Sequence, residues 1–544
     1  MAADYDVIIR NGTIYDGTGA AAVIGNLAVA GDSIAQINTP AEARGRLEID
    51  ATGLAVAPGF INMLSWANEA LIADGRSQSD IRQGVTLEVL GEGRSMGPWS
   101  KAMKAEQREQ QGDIQYDIEW TTLGEYLEFL TRRGVSPNVA SFIGATTARI
   151  HEVGYENRPP SVDELERMQG LVSAAMAEGA MGVSSALVYS PAAYAGTDEL
   201  VALAQAAAAS GGMYISHIRN EADGLLEAFE ELLTIARRAQ IRAEVYHIKA
   251  SGHDNWHKLP ELLRRIEAAR AEGLSITADM YTYHASSSGL DGTMAPWVQE
   301  GGHKAWVARL REPAVRARVK QEMTQASTEW DNFYASAGCP ENILLVGFKN
   351  PKLKPLAGRT VAEVAAERGT SPEDTIMDLV VEDDSNVGAA FFCMSEENVR
   401  TKIRTPWISF CSDAQSIATE GFFLDRSPHP RTYGSFARLL GKYVREEELI
   451  PLTEVIRRLT ALPAENLRIA RRGRLAPGYF ADIVVFDPTT ITDQATFKEP
   501  HQYATGMRHV LVNGVPVIQD GEHTGAKPGR VVRGPGWRGL SAPI

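Results

Sequence analysis

Four short stretches of the sequence place a carboxylate or an imidazole directly after an apolar run. They are Glu92 in "LEVLGEGRSMGP", His217 in "GGMYISHIRNEADG", His247 in "RAEVYHIKASG" and Asp413 in "PWISFCSDAQS". Each residue has an ordinary explanation when it is considered alone. A histidine after an apolar run is more often a buried, hydrogen-bonded side chain than a ligand, a glutamate between glycines suits a turn, and "SDA" suits a helix N-cap.

Considered together, the four residues predict a metal-dependent hydrolytic site. His217 and His247 are one strand–helix unit apart and each follows its strand, so in a barrel both would lie on one face. Two imidazoles and the Glu92 carboxylate form a three-ligand set with an open position, as a catalytic zinc site requires. A bound divalent ion lowers the pKa of a water molecule toward neutrality. Asp413 would then act as general base and pass the proton to a leaving amine.

A second group of polar residues lies close to these stretches and predicts substrate contacts. Lys249 and Arg219 each follow a candidate histidine by two residues, and Tyr281, Tyr283 and Ser287 occur in "DMYTYHASSSG" after the next strand. A lysine, an arginine and hydroxyl groups together suit a carboxylate. A solvated rim is the alternative, and for Arg219 and Tyr283 it is at least as well supported.

The elements that must position these residues alternate between short apolar runs and helical stretches. One helix is predicted from "GLLEAFEELLTIARRAQ", whose apolar residues recur on a single face. Candidate strands end at eight places: Asn62, Gly91, Gly144, Ser184, His217, His247, Asp279 and Ser412. Such alternation predicts an α/β protein with parallel strands, and eight strands fit a closed (β/α)₈ TIM-like barrel. An open doubly wound sheet is the alternative, weakened by the lack of a GxGxxG turn after an early strand.

The two ends of the sequence resemble each other and predict a second, smaller domain. Asn11-Gly12 and Asn513-Gly514 each lie between β-rich runs, which is a strong signal for a hairpin turn. We predict a small β-sandwich built from residues 1–56 and 475–544, with the catalytic barrel at 57–474 between them. An inserted, mainly helical segment is predicted at about 290–351, where the alternation breaks. Two unrelated hairpins are the alternative for the termini.

Composition limits the possible partners and the cellular location. The chain has 544 residues, 44% of them hydrophobic, and a formal net charge of -15, which argues against nucleic acid or an anionic membrane as partner. Three widely spaced cysteines support neither a disulfide framework nor a thiolate zinc site. No signal peptide or membrane span is predicted, so a cytoplasmic location is expected. The sequence leaves the oligomeric state open, including a homo-oligomer.

Seven phrases of the sequence, taken in order, carry a family resemblance. They are "GFINMLSW", "GVTLEVLGEGRSMGP", "SHIRNEADGLLEA", "YHIKASG", "SDAQS", "HPRTYGSFARLLGKY" and "GRLAPGYFADIVVFD". Together they resemble the N-acyl-D-amino-acid deacylases, or D-aminoacylases, of the amidohydrolase superfamily, from about Asp6 to Gly514. The resemblance implies a metal-dependent (β/α)₈ barrel with a small β-sandwich made from both termini and an inserted small domain.

The resemblance also implies roles for individual residues. Glu92 falls where the family has a metal-ligating cysteine and superfamily relatives have a carboxylate, and His217 and His247 match the two later ligands. Asp413 matches the catalytic aspartate. The positions that match residues used around the substrate carboxylate are Lys249, Tyr281 and Ser287.

One stretch departs from the family pattern. The family has Asp-x-His-x-His where this chain has Asn62, Met63, Leu64, Ser65 and Trp66, so both histidines of the first metal position are absent. The second position, which holds the tightly bound zinc in the D-aminoacylase pattern, is complete. We therefore predict one divalent ion, with zinc preferred, and expect Trp66 to fill the vacated space and shape the acyl pocket.

The predicted function is hydrolysis of the amide bond of N-acyl amino acids or related peptide-like amides. A metal-activated water and Asp413 would perform the reaction, and the resemblance alone favours D-configured substrates. The expected partner is therefore a small acylated amino acid. Two alternatives remain: a barrel with lost or changed catalysis, and a noncatalytic binding protein on the same scaffold.

Overall fold

A computed structural model describes residues 4–538 of the chain, in which strands and helices alternate. The strands are β1 Tyr5–Ile14, β2 Val23–Ala30, β3 Ser33–Ile37, β4 Gly45–Asp50, β5 Ala55–Pro58, β6 Phe60–Asn62, β7 Val85–Leu90, β8 Asn138–Ser141, β9 Ile143–Gly144, β10 Gly182–Ala186, β11 Met213–His217, β12 Arg242–Val245, β13 Ile276–Met280, β14 Ser286–Gly289, β15 Ile343–Gly347, β16 Gly388–Phe391, β17 Ile408–Phe410, β18 Ile483–Phe486, β19 Met507–Val512, β20 Val515–Gln519 and β21 Glu522–His523.

The helices lie mainly between the strands of the central region. They are α1 Asn68–Ala73, α2 Gln78–Ile81, α3 Lys101–Gln110, α4 Leu123–Arg133, α5 Ala145–Glu152, α6 Val162–Ala177, α7 Thr197–Ala208, α8 Leu225–Ala239, α9 Leu259–Ala271, α10 His303–Arg309, α11 Pro313–Met323, α12 Phe333–Ala337, α13 Val361–Arg368, α14 Pro372–Asp383, α15 Glu396–Arg404, α16 Arg431–Arg438, α17 Leu452–Leu459 and α18 Ala461–Asn466.

The central strands form a closed parallel barrel. Strands β6, β7 and β8 pair in parallel, and β9 follows β8 after a single intervening residue. From β9 the parallel pairing continues in the order β10, β11, β12, β13 and β17. The ring closes just beyond β17, because the Asp413 amide donates to the Leu64 carbonyl at 2.9 Å and Ser65 bridges Ala414 in parallel. The predicted (β/α)₈ barrel is confirmed, and an open sheet is excluded by this closure.

The apolar pattern of the sequence explains how the barrel layers pack. Every residue of β7 and of β11 is buried, as expected for barrel strands that have side chains in the interior on one face and under helices on the other. The predicted helix at "GLLEAFEELLTIARRAQ" is α8, and its buried residues include Leu225, Phe229, Leu232 and Ala236 on one face. The helices therefore cover the outside of the barrel with a continuous apolar layer.

Both ends of the chain contribute to one nine-stranded sheet, as the resemblance of the termini predicts. Its strand order is β21-β20-β19-β18-β5-β1-β2-β3, with β4 also paired to β1. Asn513-Gly514 forms the predicted hairpin turn between β19 and β20. The same prediction at Asn11-Gly12 is wrong. These residues lie inside β1 at a bulge, because Asn11 adopts the left-handed conformation at φ 57° that either a bulge or a turn can use.

The segment between β13 and β17 differs in part from the helical insert predicted at about 290–351. Helices α10, α11 and α12 do lie there. The segment also contributes to a three-stranded antiparallel sheet in the order β14-β16-β15, in which β15 lies within the predicted range, β14 precedes it and β16 follows it. The short strand β14 is Ser-rich, so its sequence carries no apolar alternation from which a strand could be predicted. No helix in residues 4–538 is long and apolar enough to cross a membrane.

Candidate metal and catalytic site

The four residues predicted from strand ends converge at the carboxyl end of the barrel. His217 is the last residue of β11, while Glu92, His247 and Asp413 follow β7, β12 and β17 within three residues. All four are buried. His247 and Asp413 have positive φ values of 32° and 49°, so the chain turns sharply there and directs both side chains into the barrel mouth.

Glu92, His217 and His247 bring three potential ligand atoms together. The Glu92 Oε1 atom lies 3.2 Å from His217 Nδ1 and 3.0 Å from His247 Nε2. The three side chains form a group whose ligand atoms lie within 4.8 Å of one another, and it is the only such group in residues 4–538. One carboxylate and two imidazoles are ligands that zinc prefers.

Glu221 joins the outer nitrogens of both histidines. Its carboxylate lies 3.2 Å from His217 Nε2 and 3.2 Å from His247 Nδ1, on the side away from Glu92. The Lys249 ammonium donates to both Glu221 oxygens at 2.7 and 2.8 Å and lies 2.6 Å from His247 Nδ1. A carboxylate in this position orients metal-binding imidazoles and raises their basicity.

The charge balance of the group fits a bound cation. Burial alone would raise the pKa of Glu92, but hydrogen bonds from the two histidines outweigh it and hold that pKa well below its usual range. Burial and the Lys249 charge lower the pKa of His247, yet the Glu221 and Asp413 carboxylates raise it overall to about 10. The carboxylates around the two imidazoles therefore favour positive charge at this place, which a bound divalent ion would supply.

The Asp413 carboxylate lies beside this group and is contacted by Trp66 and Arg431. The Trp66 indole N–H donates to Asp413 Oδ1 at 3.2 Å and to Glu92 Oε2 at 3.0 Å. Arg431 Nη1 lies 2.8 Å from Asp413 Oδ2. Burial raises the pKa of Asp413, and the Arg431 charge partly offsets that rise.

A cavity of about 660 Å³ opens onto these residues. Its wall includes the three potential ligands, Asp413, Trp66, Lys249, Tyr281, Ser287, Tyr189 and Arg431. The buried Tyr281 hydroxyl and the Nε atom of Arg431 have no hydrogen-bond partner in the described part of the chain, whereas Arg431 Nη1 has the Asp413 carboxylate within ion-pair distance. The Arg431 guanidinium stacks 4.5 Å above the Tyr281 ring centre, so these unpaired donors lie together.

Two of the expected substrate contacts, Arg219 and Lys249, are paired with other residues of the chain. Arg219 is not part of the cavity wall, because its guanidinium pairs with Glu231 at 2.8 Å and donates to the carbonyls of Ala193 and Ala195. Lys249 does line the cavity, but its ammonium is bound to Glu221. Both lie beyond a strand end, where the side-chain alternation of the strand no longer sets their direction.

Glu221 and Arg431 are site residues for which the sequence analysis assigned no role. Glu221 lies four residues after His217, in the segment that leads to α8, and Arg431 is the first residue of α16. Their phrases, "SHIRNEADGLLEA" and "HPRTYGSFARLLGKY", were among those that carry the resemblance. That resemblance was the only signal in the sequence that could have indicated them.

The barrel and the group at its carboxyl end define a metal-dependent hydrolase of the (β/α)₈ type. The profile of the amidohydrolase family matches residues 47–518, so this chain belongs to the amidohydrolase family, whose members include the deacylases it resembles. The D-aminoacylase of Alcaligenes xylosoxydans xylosoxydans is 32% identical over 532 residues, which is 97% of each chain. The resemblance to D-aminoacylases and the predicted reaction class, hydrolysis of linear amides, are confirmed.

Solved structures of relatives agree with this assignment. A zinc-bound N-acyl-D-glutamate deacylase of Bordetella bronchiseptica, in complex with a phosphonate that mimics the tetrahedral intermediate, is 31% identical with a TM-score of 0.81. The alignment covers 97% of this chain and 99% of that one. A D-aminoacylase whose binuclear centre shows one-metal activation and second-metal attenuation is also 31% identical, with a TM-score of 0.81 and coverage of 97% and 100%.

Proposed function

We propose that this protein hydrolyses the amide bond of N-acyl-D-amino acids with one divalent ion, preferably zinc. The observation that carries the proposal is the position of Asp413 beside the Glu92, His217 and His247 group at the mouth of one cavity. The D-configuration rests on the relatives, which are named for D-aminoacylase and N-acyl-D-glutamate deacylase activity.

One ion rather than two is supported by the residues at the end of β6. Leu64 is buried and apolar, and Trp66 donates its only polar hydrogen to the Glu92 and Asp413 carboxylates. Neither side chain offers a metal a lone pair. When bound by Glu92, His217 and His247, the ion would act as a Lewis acid toward an acyl carbonyl and a water molecule.

Asp413 would move the proton in this reaction. Its carboxylate would accept a proton from the attacking water and donate it to the nitrogen of the leaving amine, as a general base and then a general acid. Arg431 contacts one of its oxygens and the Trp66 N–H contacts the other. Tyr189, which packs edge-on against His217 with its ring centre 5.6 Å away, would form part of the wall near the scissile bond.

The substrate carboxylate would bind at Arg431, Tyr281 and Ser287. Arg431 Nε and the Tyr281 hydroxyl are unpaired buried donors, and Ser287 lies on strand β14, where its carbonyl accepts from Arg431 Nη2 at 3.2 Å. A carboxylate would satisfy these donors through charge-assisted hydrogen bonds. Lys249 would act through Glu221 and His247 rather than on the substrate, because its ammonium is already bound to the Glu221 carboxylate.

The test measures amine release from a panel of N-acyl-D- and N-acyl-L-amino acids and dipeptides by metal-loaded protein. We expect the wild type to cleave at least one D-configured substrate, and Asp413→Asn to keep fold and metal but lose about a hundredfold or more in kcat, a typical general-base contribution. Asp384→Asn is the matched control, since Asp384 lies on the cavity wall and pairs with His303 at 3.0 Å.

Two outcomes would overturn the proposal. A fully metallated wild type that releases no amine from any substrate is not an acylase, and binding of acyl amino acids without turnover would favour the noncatalytic scaffold. Equal turnover by the wild type and Asp413→Asn would remove Asp413 as the base.

A further inference from the structure

Trp66 makes a contact that filling space does not require. Its indole N–H is shared between Glu92 Oε2 at 3.0 Å and Asp413 Oδ1 at 3.2 Å. The two acceptors come from the two barrel strands that flank β6, because Glu92 follows β7 and Asp413 follows β17. A single N–H therefore connects the group that could hold a metal with the carboxylate placed to move the proton.

The position of Trp66 is fixed by the closure of the barrel. Its backbone amide donates to the Ala414 carbonyl at 2.9 Å, and the Asp413 amide donates to the Leu64 carbonyl at 2.9 Å. These bonds align the segment after β6 with the segment after β17, so the indole and the Asp413 side chain leave neighbouring backbones. The ring itself lines the cavity.

The electrostatics of the site require such a donor. Glu92 and Asp413 are both buried, and each raises the energy of the other's negative charge. Arg431 approaches Asp413 Oδ2, which is the oxygen that Trp66 does not contact. The histidines approach Glu92 Oε1, so the indole N–H serves the remaining oxygen of each carboxylate.

We propose that Trp66 is a positioning residue whose N–H holds the Asp413 carboxylate against Glu92. This inference rests on the proposed amidohydrolase function. It assigns to the chain a one-ion centre in which a fixed hydrogen-bond donor stands between the two carboxylates. The orientation of Asp413 for proton transfer would then come from a hydrogen bond and would not depend on the concentration of divalent ions.

The test compares Trp66→Phe with Trp297→Phe, a matched indole whose N–H donates to Glu322 at 2.7 Å outside the cavity wall. Loss of a hydrogen bond to a charged group predicts a kcat lower by about ten- to a hundredfold in Trp66→Phe, because Asp413 loses its orientation. We expect the KM to change by less than about twofold and one bound ion to remain. The three metal ligands and the residues proposed to bind the substrate carboxylate are unchanged in this variant. Trp297→Phe should match the wild type.

A second readout is independent of turnover. In protein labelled with ¹⁵N-tryptophan, the indole signal missing from Trp66→Phe identifies the Trp66 N–H. That signal should move in Asp413→Ala, while the signal missing from Trp297→Phe should stay in place. Both should be measured at the same metal content.

The outcomes separate this inference from the proposed function. A raised KM with unchanged kcat in Trp66→Phe would make Trp66 a wall of the substrate pocket and overturn the positioning role. Unchanged kcat and KM in a Trp66→Phe variant that is active with one bound ion would also overturn it. So would a Trp66 indole signal whose position is the same in Asp413→Ala as in the wild type. An inactive or metal-free wild type would instead contradict the proposed function, and the indole signal would still report on the contact.

Discussion

Arg431 and Asp413 form a buried ion pair at the mouth of the barrel. Arg431 Nη1 lies 2.8 Å from Asp413 Oδ2, and the two side chains are 4% and 9% exposed. Burial raises the pKa of the Asp413 carboxyl and the Arg431 charge lowers it, so the balance between them sets the pH at which this base becomes available. Removal of the guanidinium takes away the largest of the charges that oppose the burial effect on this pKa.

The first prediction concerns the pH dependence of catalysis. Asp413 acts when deprotonated, so activity falls as the pH drops through its raised pKa. Arg431→Gln removes the charge that lowers this pKa, and the acidic limb of the kcat profile should therefore move to higher pH. The control is Arg426→Gln, because Arg426 also lines the cavity but approaches Asp113 at 3.5 Å. If the acidic limb of the kcat profile lies at the same pH in the wild type and in Arg431→Gln, at equal metal content, then Arg431 does not lower the pKa of the catalytic base.

The second prediction concerns recognition of the substrate carboxylate. Tyr281→Phe removes an unpaired buried hydroxyl and should raise the KM for a free-acid substrate by about tenfold, the worth of one hydrogen bond to a charged group. The ester of the same substrate should be affected far less. Tyr283→Phe is the matched control, since its hydroxyl already has Pro430 and Asp493 as acceptors. Equal losses on acid and ester would place the carboxylate elsewhere.

The third prediction concerns metal affinity. His217→Ala or His247→Ala should abolish retention of the ion through dialysis, as measured by elemental analysis. Glu221→Gln should weaken metal binding by about ten- to a hundredfold, because its carboxylate contacts the outer nitrogens of both histidines. His303→Ala should retain the metal, since His303 lines the cavity but pairs with Asp384. Retention of a full equivalent by both alanine variants of the ligands would rule out this group as the binding site.

The fourth prediction concerns conformational stability. Glu244 on β12 is fully buried, and burial together with the Asp279 charge raises its pKa to about 8. The folded protein therefore holds a proton that the unfolded chain releases near pH 4.5, so the free energy of unfolding declines as the pH rises toward 8. Glu244→Gln should remove this part of the decline, and its advantage over the wild type in free energy of unfolding should grow between pH 5 and pH 9.

Urea unfolding at several pH values measures this effect. Glu261→Gln serves as the control, because that carboxylate lies on the surface of α9 and pairs with Arg264 and Arg265. Its stability curve should not show the gain with rising pH. A constant difference between Glu244→Gln and the wild type across the pH range would mean that Glu244 is ionised in the folded protein.

The sequence was sufficient to predict the barrel and the convergence of its strand-end residues. Apolar runs alternate with amphipathic helices, and in such a fold any residue just past a strand must lie at the same end of the barrel. The prediction of convergence rests only on the positions of Glu92, His217, His247 and Asp413 relative to their strands, and the structure brings these residues together. It did not depend on side-chain direction.

Side-chain directions beyond the strands could not be predicted in the same way. A position two residues after a histidine predicts a substrate contact for Lys249 and, with a solvated rim as an equal alternative, for Arg219. The chain has left the strand at both positions, and each side chain pairs with a glutamate. The role of Arg431 depends on how α16 packs against the barrel, far along the chain. The donation by Trp66 to two carboxylates depends on the register between β6 and β17, which the local sequence does not specify.

The pairing of β5 with β18 affects how the chain folds while it is being synthesised. Ala57 pairs with Val484 in the sheet shared by the two termini, so β5 has no partner on that edge until the last part of the chain has been synthesised. At roughly 5–20 residues per second, the intervening 400 or so residues take on the order of 20 to 80 seconds to leave the ribosome. During that time the β5 edge is open to pairing with other chains, and truncation before β18 would leave it open permanently.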